Sequence, residues 1–401
     1  MLNYRAPLIL SSPEEVAKSL EVYTINLRRA FHKIPEPSWK EEKTLALLKS
    51  ELSKIILKSI YPTKIVEAKG GLWVDLIVDR SLPWILFRAD LDALPIEEET
   101  GLPFSSVHKG YMHACGHDCH TAMLLASFHA IATCMIVPKS NIRFVWQRAE
   151  ECGESPSGGS LLVQEGVCNN IDFVYGLHVS STLESNAFYS RQTLMMANSC
   201  YIEFTIICSG GHVMRPDLGS NAISLMGDVL THLKGFEKLY FGPDELVAFV
   251  PSIATAGTKS NIRPNSAHFC FAIRNFLPEA KRNAFIKAIK EKLETITLLY
   301  PSAHLASFDF TPGYPALYND PENHLFVERA LQEQEFKTLD SPLLFAGEDF
   351  SFYLQQTPGS FWLLGAKQDP IFDHHTAKFN PDESTLYQGV AFWLTLAHKP
   401  H

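Results

Sequence analysis

Ile142-Arg-Phe-Val-Trp-Gln-Arg-Ala-Glu-Glu151 is an apolar run that ends on two adjacent carboxylates. Residues 142–146 are short, bounded and rich in β-branched and aromatic side chains, as a strand in a covered sheet should be. Upstream, 64–68, 72–78 and 84–88 read as strands, the first two joined at Lys69-Gly70-Gly71, and downstream 173–177 reads as another. Helical spacing precedes them. Val16, Leu20, Tyr23 and Leu27 recur on one face, as do Leu45, Leu48, Leu52 and Ile55, with Pro35-Glu-Pro37 as the break. Further helices open near Cys119 and cover 159–165. Strands alternating with helices predict an α/β fold with parallel pairs. In such sheets functional groups collect beyond the carboxyl ends of the strands, which is where Glu150 and Glu151 stand.

From about residue 198 the rhythm changes. Strands at 201–208, 246–253, 267–273 and 304–310, with helices at 221–236 and 279–300, give the order β-α-β-β-α-β of a ferredoxin-like unit. The α/β pattern resumes with a helix at 322–334, short strands at 342–345 and 360–364, and a last helix at 385–397. The simplest organisation is a larger domain made of 1–190 and 313–401, with a smaller domain, 191–312, inserted. Two domains also suit a chain of 401 residues.

The bulk properties exclude several classes. A hydrophobic share of 46% and a charged share of 20% belong to a globular chain. Lys+Arg 35 against Asp+Glu 44 leaves −9, with no Lys/Arg run, which argues against nucleic acid and anionic membranes as partners. The apolar run in residues 1–10 is too short for a secretory segment. The longest apolar stretch, 121–137, is broken by Ser127, His129 and Thr133 and falls short of the ~20 residues of a spanning helix. Eight cysteines without CxxC spacing read as free thiols in a reducing compartment, hence the cytoplasm.

The chemistry concentrates around His113-Ala-Cys-Gly-His117-Asp118-Cys-His120. The Cys115 thiolate, the imidazoles of His117 and His120, and the Asp118 carboxylate are donors for a borderline-soft dication. Gly116 permits the tight turn that aims Cys115 and His117 at one point. A single histidine is more often a cap or a core residue; several ligand types this close favour a metal. Adjacent carboxylates such as Glu150-Glu151 usually mark a solvated face. At the end of an apolar strand they suit hydrolysis at a dication, which needs one carboxylate as ligand and another to take a proton. His178 ends the next strand. Gly210-Gly211-His212, Asn261, Arg274 and His374-His375 are weak signals singly. Asp90 and Asp92 either orient a metal-bound imidazole or serve an ordinary turn, and Glu348-Asp349 reads as a helix N-cap. A Cys–His nucleophile is outweighed by the other ligand types, and Ser157-Gly-Gly159 lacks Walker or dinucleotide spacing.

With these residues in hand, the chain resembles the M20 family of metallo-amidohydrolases and peptidases, and looks most like the branch with hippurate hydrolases and indole-acetyl-amino-acid hydrolases. The matching pieces are Phe31-His-Lys-Ile-Pro-Glu36, Arg88-Ala-Asp-Leu-Asp-Ala-Leu-Pro95, Met112-His-Ala-Cys-Gly-His-Asp118, Gln147-Arg-Ala-Glu-Glu151, Gly176-Leu-His-Val179, Gly210-Gly-His212, Gly347-Glu-Asp-Phe-Ser-Phe352 and Pro358-Gly-Ser-Phe361. The resemblance implies a mixed-sheet, zinc-exopeptidase-like catalytic domain with an inserted ferredoxin-like lid and dimerisation domain. It implies two divalent ions held by Cys115, His117, Glu151, His178 and His375, with His374 the alternative at the last place. Glu150 becomes the general base and a hydroxide shared between the ions the nucleophile, while Asp90 and Asp118 stand behind the ligands. His212 reaches into the partner subunit's site of a homodimer, and Asn261 and Arg274 hold the substrate's carboxylate or oxyanion, a guanidinium gripping a carboxylate bidentately. Mixed S/N/O donors argue against a Mg or Ca cage and leave Zn, Mn, Co and Ni open.

Three departures accompany the match: Arg148 where relatives have proline, Asp217 and Asn221 where they have histidine and aspartate, and His374-His-Thr-Ala377 as the closing segment. None removes a ligand. The expected activity is hydrolysis of the amide of N-acyl amino acids. A dipeptidase or aminopeptidase on the same scaffold, a catalytically silent metal-binding dimer and a thiol redox protein using Cys115 and Cys119 are the alternatives. The intact Glu150 speaks against the silent reading.

Overall fold

Four strands, Asn141–Gln147, Trp84–Asp90, Phe173–Ser180 and Gly359–Gly365, lie parallel and side by side in that order at the middle of an eight-stranded sheet. The computed structural model describes residues 12–153, 156–242 and 244–401, so the expectation for residues 1–10 lies outside the described residues. Gly71–Leu76 adds antiparallel to Asn141–Gln147, and Thr63–Ala68 folds back on it as a hairpin. At the other side Ala187–Ser190 is antiparallel to Gly359–Gly365, and Lys337–Asp340 lies parallel to Ala187–Ser190. The sheet is therefore mixed, with a parallel centre. Gly359–Gly365 is buried at every position, the pattern of a strand covered on both faces.

Contacts divide the chain into two units. One holds the described residues up to Met195 with Tyr318–Pro342 and Asp349–His401; the other holds Met196–Leu317 with Leu343–Glu348. In the first, His117–Ala132 is nearly all buried, against Glu21–His32, Glu42–Ile56, Leu386–His398 and three of the parallel strands. An apolar stretch that resembles a membrane segment is thus a core helix, and no helix among the described residues is long and apolar enough to cross a membrane. In the second unit, Asn198–Ile207, Ala222–Tyr240, Val247–Ala256, Ser266–Asn275, Glu279–Thr297 and His304–Pro312 follow one another. The four long strands form an antiparallel sheet with Asn198–Ile207 between Ser266–Asn275 and His304–Pro312 and with Val247–Ala256 at an edge, the ferredoxin-like order. Stacked Phe204, Phe269, Phe271 and Phe249 fill its core.

Several boundaries differ from the sequence reading, each for a tertiary reason. The strand expected at 342–345 lies at Lys337–Asp340 instead. Pro342 has no amide hydrogen for a ladder, and Leu344 makes only an isolated bridge to Met196. The helix expected to stop at Phe236 continues to Tyr240, because Phe236, Tyr240 and Phe241 pack on Phe285. The first helix is two, Pro13–Ser19 and Glu21–His32, broken at Leu20.

The core helix His117–Ala132 is pinned by a buried charge network. Arg28 Nε and His32 Nδ1 both donate to Asp118 Oδ2 at 2.8 Å, and His32 Nε2 lies 3.3 Å from Glu98. Asp118 sits in the first turn of the helix, where a negative charge complements the dipole. Burial alone would raise the Glu98 carboxyl, but His32 and the Ser106 N–H hold it down at about 2 against 4.5. A depressed carboxyl contributes stability that is full above about pH 4.5 and is lost as pH falls towards 2. Glu98→Gln should therefore melt lower than wild type at pH 5 by on the order of 2 °C, after discounting for solvent screening. The gap should close by pH 2–3 in thermal melts; an equal gap at both pH values would contradict the assignment.

Candidate functional site

All four parallel strands deliver a functional group at their carboxyl ends. Trp84–Asp90 ends on Asp90, Asn141–Gln147 leads to Glu150 and Glu151, His178 stands near the end of Phe173–Ser180, and the loop after Gly359–Gly365 carries His374 and His375. Cys115 and His117 come from the turn that opens the core helix. Gly116 caps that helix with φ 93°, a left-handed value that an L side chain rarely adopts. A Cβ there would lie 2.3 Å from Val179 Cγ2. Gly116→Ala should cost about 1–3 kcal/mol and lower metal content, read by thermal melts and metal analysis of the purified variant. Normal metal content at unchanged stability would show that the turn tolerates the methyl group.

Donor atoms converge here in overlapping sets. Cys115, His117 and His178 each offer a donor atom within 4.8 Å of the others, as do Cys115, Glu151 and His375, and His117, Glu150 and Glu151. Cys115 Sγ is 3.5 Å from His178 Nε2, and His375 Nε2 is 3.1 Å from Glu151 Oε1. His178 Nδ1 donates to the carbonyl of Val179 at 2.6 Å; a carbonyl only accepts, so the Nε2 lone pair is left facing Cys115. His374 Nε2 accepts the Ser181 N–H at 3.4 Å, while its Nδ1 lies 3.8 Å from the sulfur.

Each group behind these donors has a distinct task. His120 Nδ1 donates to Asp90 Oδ1 at 2.6 Å and its Nε2 accepts the Val179 N–H at 2.9 Å. Both ring nitrogens of His120 are spent within the protein, although its residue type suggested a ligand. Asp92 lies 3.3 Å from His117 Nδ1 and accepts the backbone N–H groups of Glu150 and Glu151 at 3.1 and 2.9 Å. Asp90, 3.7 Å from His117 Nε2, is also bound by Arg88 at 2.6 Å. Asp118 turns towards Arg28 and His32, as described above. Asp349 does not cap a helix, because Ser351–Leu354 has no side-chain cap. It accepts from Arg88, Gln147 and the Gly159 N–H instead.

The electrostatics show what the pocket lacks. Burial lowers the pKa of His117, but Asp90, Asp92 and Glu151 outweigh it and lift it to about 10. Burial, Glu151 and Glu150 push the Cys115 thiol well above 9. Burial, reinforced by His120 and His374, holds His178 neutral. Neither nitrogen of His117 nor Oε1 of Glu151 makes a well-aligned hydrogen bond although all three are buried; they meet ion-pair neighbours, Asp92 at 3.3 Å, Asp90 at 3.7 Å and His375 at 3.1 Å. A crowd of carboxylates, buried donor atoms without well-aligned hydrogen bonds and a thiol that can ionise only beside strong positive charge suit divalent cations. The residues fit such a group.

His212, Asn261 and Arg274 belong to the second unit. His212 is exposed, pairs through its backbone with Ile262, and accepts the Met214 N–H on Nδ1 at 3.1 Å. Arg274 donates to the Tyr201 hydroxyl at 2.9 Å and lies over that ring.

The sequence profile of peptidase family M20/M25/M40 matches residues 86–399. The chain is 32% identical over 391 residues to thermostable carboxypeptidase 1 of Saccharolobus solfataricus, spanning 95% of this chain and 96% of that protein. It is 31% identical over 376 residues to N-acetyl-L-cysteine deacetylase of Bacillus subtilis, spanning 93% and 87%. A solved Bacillus subtilis structure, described as a dinuclear metal binding peptidase from the M20 family, superposes with a TM-score of 0.79 at 27% identity, over 95% of this chain and 98% of that one. With this profile over most of its length and relatives at this identity, the chain belongs to peptidase family M20/M25/M40.

Proposed function

We propose that this protein is a metal-dependent amidohydrolase that cleaves the amide of N-acyl amino acids at a site for two divalent ions. The observation that carries the reading is the convergence of donor atoms from Cys115, His117, Glu151, His178 and His375, with Glu150 beside them. His375 is the late donor in this reading, since its Nε2 meets Glu151 whereas His374 Nε2 accepts from the backbone. The deacetylase relative supports an acyl-group substrate.

Bound dications would polarise the scissile carbonyl and lower the pKa of water. Glu150 takes the proton of the attacking water and passes it to the departing amine. Asp92 accepts the backbone N–H groups of Glu150 and Glu151 and so fixes the stretch of loop that carries the base. His212 accepts on Nδ1 and so carries its proton on Nε2, the form that donates to an oxyanion. Asn261 and Arg274 bind the substrate's carboxylate. We assign His212 to the site of a second copy, and Val247–Ala256 supports a homodimer: it is an edge strand ten residues long with Val250 and Ile253 exposed. Eight free cysteines suit a cytoplasmic protein.

A peptidase reading is favoured by the carboxypeptidase relative. The test is a panel of N-acetyl and N-benzoyl amino acids beside dipeptides with a free α-amine, assayed on metal-loaded protein. The proposal expects cleavage of the acyl compounds with at least about tenfold higher kcat/KM, a difference of 1.4 kcal/mol. Preference for the free dipeptides would replace it with the peptidase reading.

A further inference from the structure

We propose that Glu41 is a positioning residue that clamps the Arg148–Ala149 corner and thereby aims Glu150, an inference that rests on Glu150 being the base. Glu41 lies in the charged stretch Ser38-Trp-Lys-Glu-Glu-Lys43, yet its side chain is fully buried. It occupies the N-cap position of Glu42–Ile56 without bonding that helix through its side chain. The carboxylate faces the catalytic loop instead. Its Oε1 accepts the Ala149 N–H at 2.8 Å and the Trp39 N–H at 3.0 Å, and its Oε2 accepts Arg148 Nε at 2.8 Å. The Arg148 guanidinium in turn lies over the Trp39 ring, 5.7 Å from its centroid.

Ala149 needs a clamp. It has φ 49°, in the left-handed region where Cβ crowds the carbonyl of an L residue, and it is fully buried. Three consecutive backbone N–H groups, those of Ala149, Glu150 and Glu151, are accepted by just two buried carboxylates, Glu41 and Asp92. Glu41 holds the residue that sets the direction of the chain, and Asp92 holds the two that follow. Burial and the neighbouring Asp92 raise the Glu41 carboxyl, and Arg148, paired with it at 2.8 Å, supplies the opposing countercharge.

The experiment compares wild type, Glu41→Ala, Glu41→Gln and Glu150→Gln, each metal-loaded, for kcat, KM, metal content and melting temperature. A loosened base costs turnover rather than binding, and misplacement by about 1 Å costs ~10²-fold. Glu41→Ala should therefore lose about 10²-fold in kcat, with KM within roughly threefold and both ions retained. Glu41→Gln can still accept the Ala149 N–H but turns an NH₂ on Arg148, so its kcat should fall by about tenfold, between the other two. If Glu41→Ala does not fold, the near-isosteric Glu41→Gln decides alone. Wild-type kcat in folded, metal-loaded Glu41→Gln beside an inactive Glu150→Gln overturns the clamp while sparing the function. Loss of metal in step with kcat also overturns it, because the effect would then belong to the Glu151 donor. Full turnover in Glu150→Gln would remove the base itself and the clamp with it.

Discussion

Glu150→Gln should retain both metal ions and lose about 10²–10⁴-fold in kcat, the range that a positioned general base contributes. The change keeps size and shape, and it leaves the backbone N–H of Glu150 on Asp92. Only the proton acceptor is removed. Glu150 is 7% exposed and shares a group of donor atoms with His117 and Glu151, so its carboxylate lies beside the residues that would hold the ions. The matching measurements are metal analysis and steady-state kinetics on an N-acetyl amino acid. Unchanged kcat in the metal-loaded variant would rule out the role.

Cys115→Ala should be as damaging by a different route, through the metal. Cys115 takes part in two of the three-donor groups, one with His117 and His178 and one with Glu151 and His375. Its loss weakens both ends of the site together. Four-ligand zinc sites hold roughly 10–16 kcal/mol, which is about 2.5–4 per ligand, so metal should bind on the order of 10²-fold more weakly. Activity at limiting metal should vanish and return in part at high concentration of the ion. Chelation of the wild type should give the same loss, reversibly. Cys119→Ala is the control: it is buried in the hydrophobic core, so its removal should cost stability and leave metal content intact. Full metal content and turnover in Cys115→Ala would dismiss the donor role, and equal losses in Cys119→Ala would revive the thiol redox reading.

Much of the scaffold was legible because it is written in local periodicity. The strand at Trp84–Asp90 and the long core helix follow from apolar runs and their lengths, and the ferredoxin-like order follows from alternation between periods of two and 3.6. Ligand-type residues could also be chosen by kind and by their place after strands. The failures share one cause. Asp349 looked like a cap, but Arg88 and Gln147 claim it, the latter from 202 positions away. His120 looked like a ligand until Asp90 and the Val179 amide occupied both its nitrogens. Glu41 drew no notice in the sequence, because nothing in its neighbourhood announces a bond to Ala149, 108 residues further on.

Residue order alone therefore determined which elements form and which donor types stand at their ends, because helix and strand periodicity depend on neighbours a few positions apart. Tertiary structure decided which imidazole keeps a lone pair, which carboxylate orients which partner, and where the chain tolerates a left-handed alanine. Those outcomes depend on the direction of hydrogen bonds across strands that are adjacent only after folding. A hydrogen bond is satisfied or lost over about an ångström, a precision that no pattern along one dimension encodes.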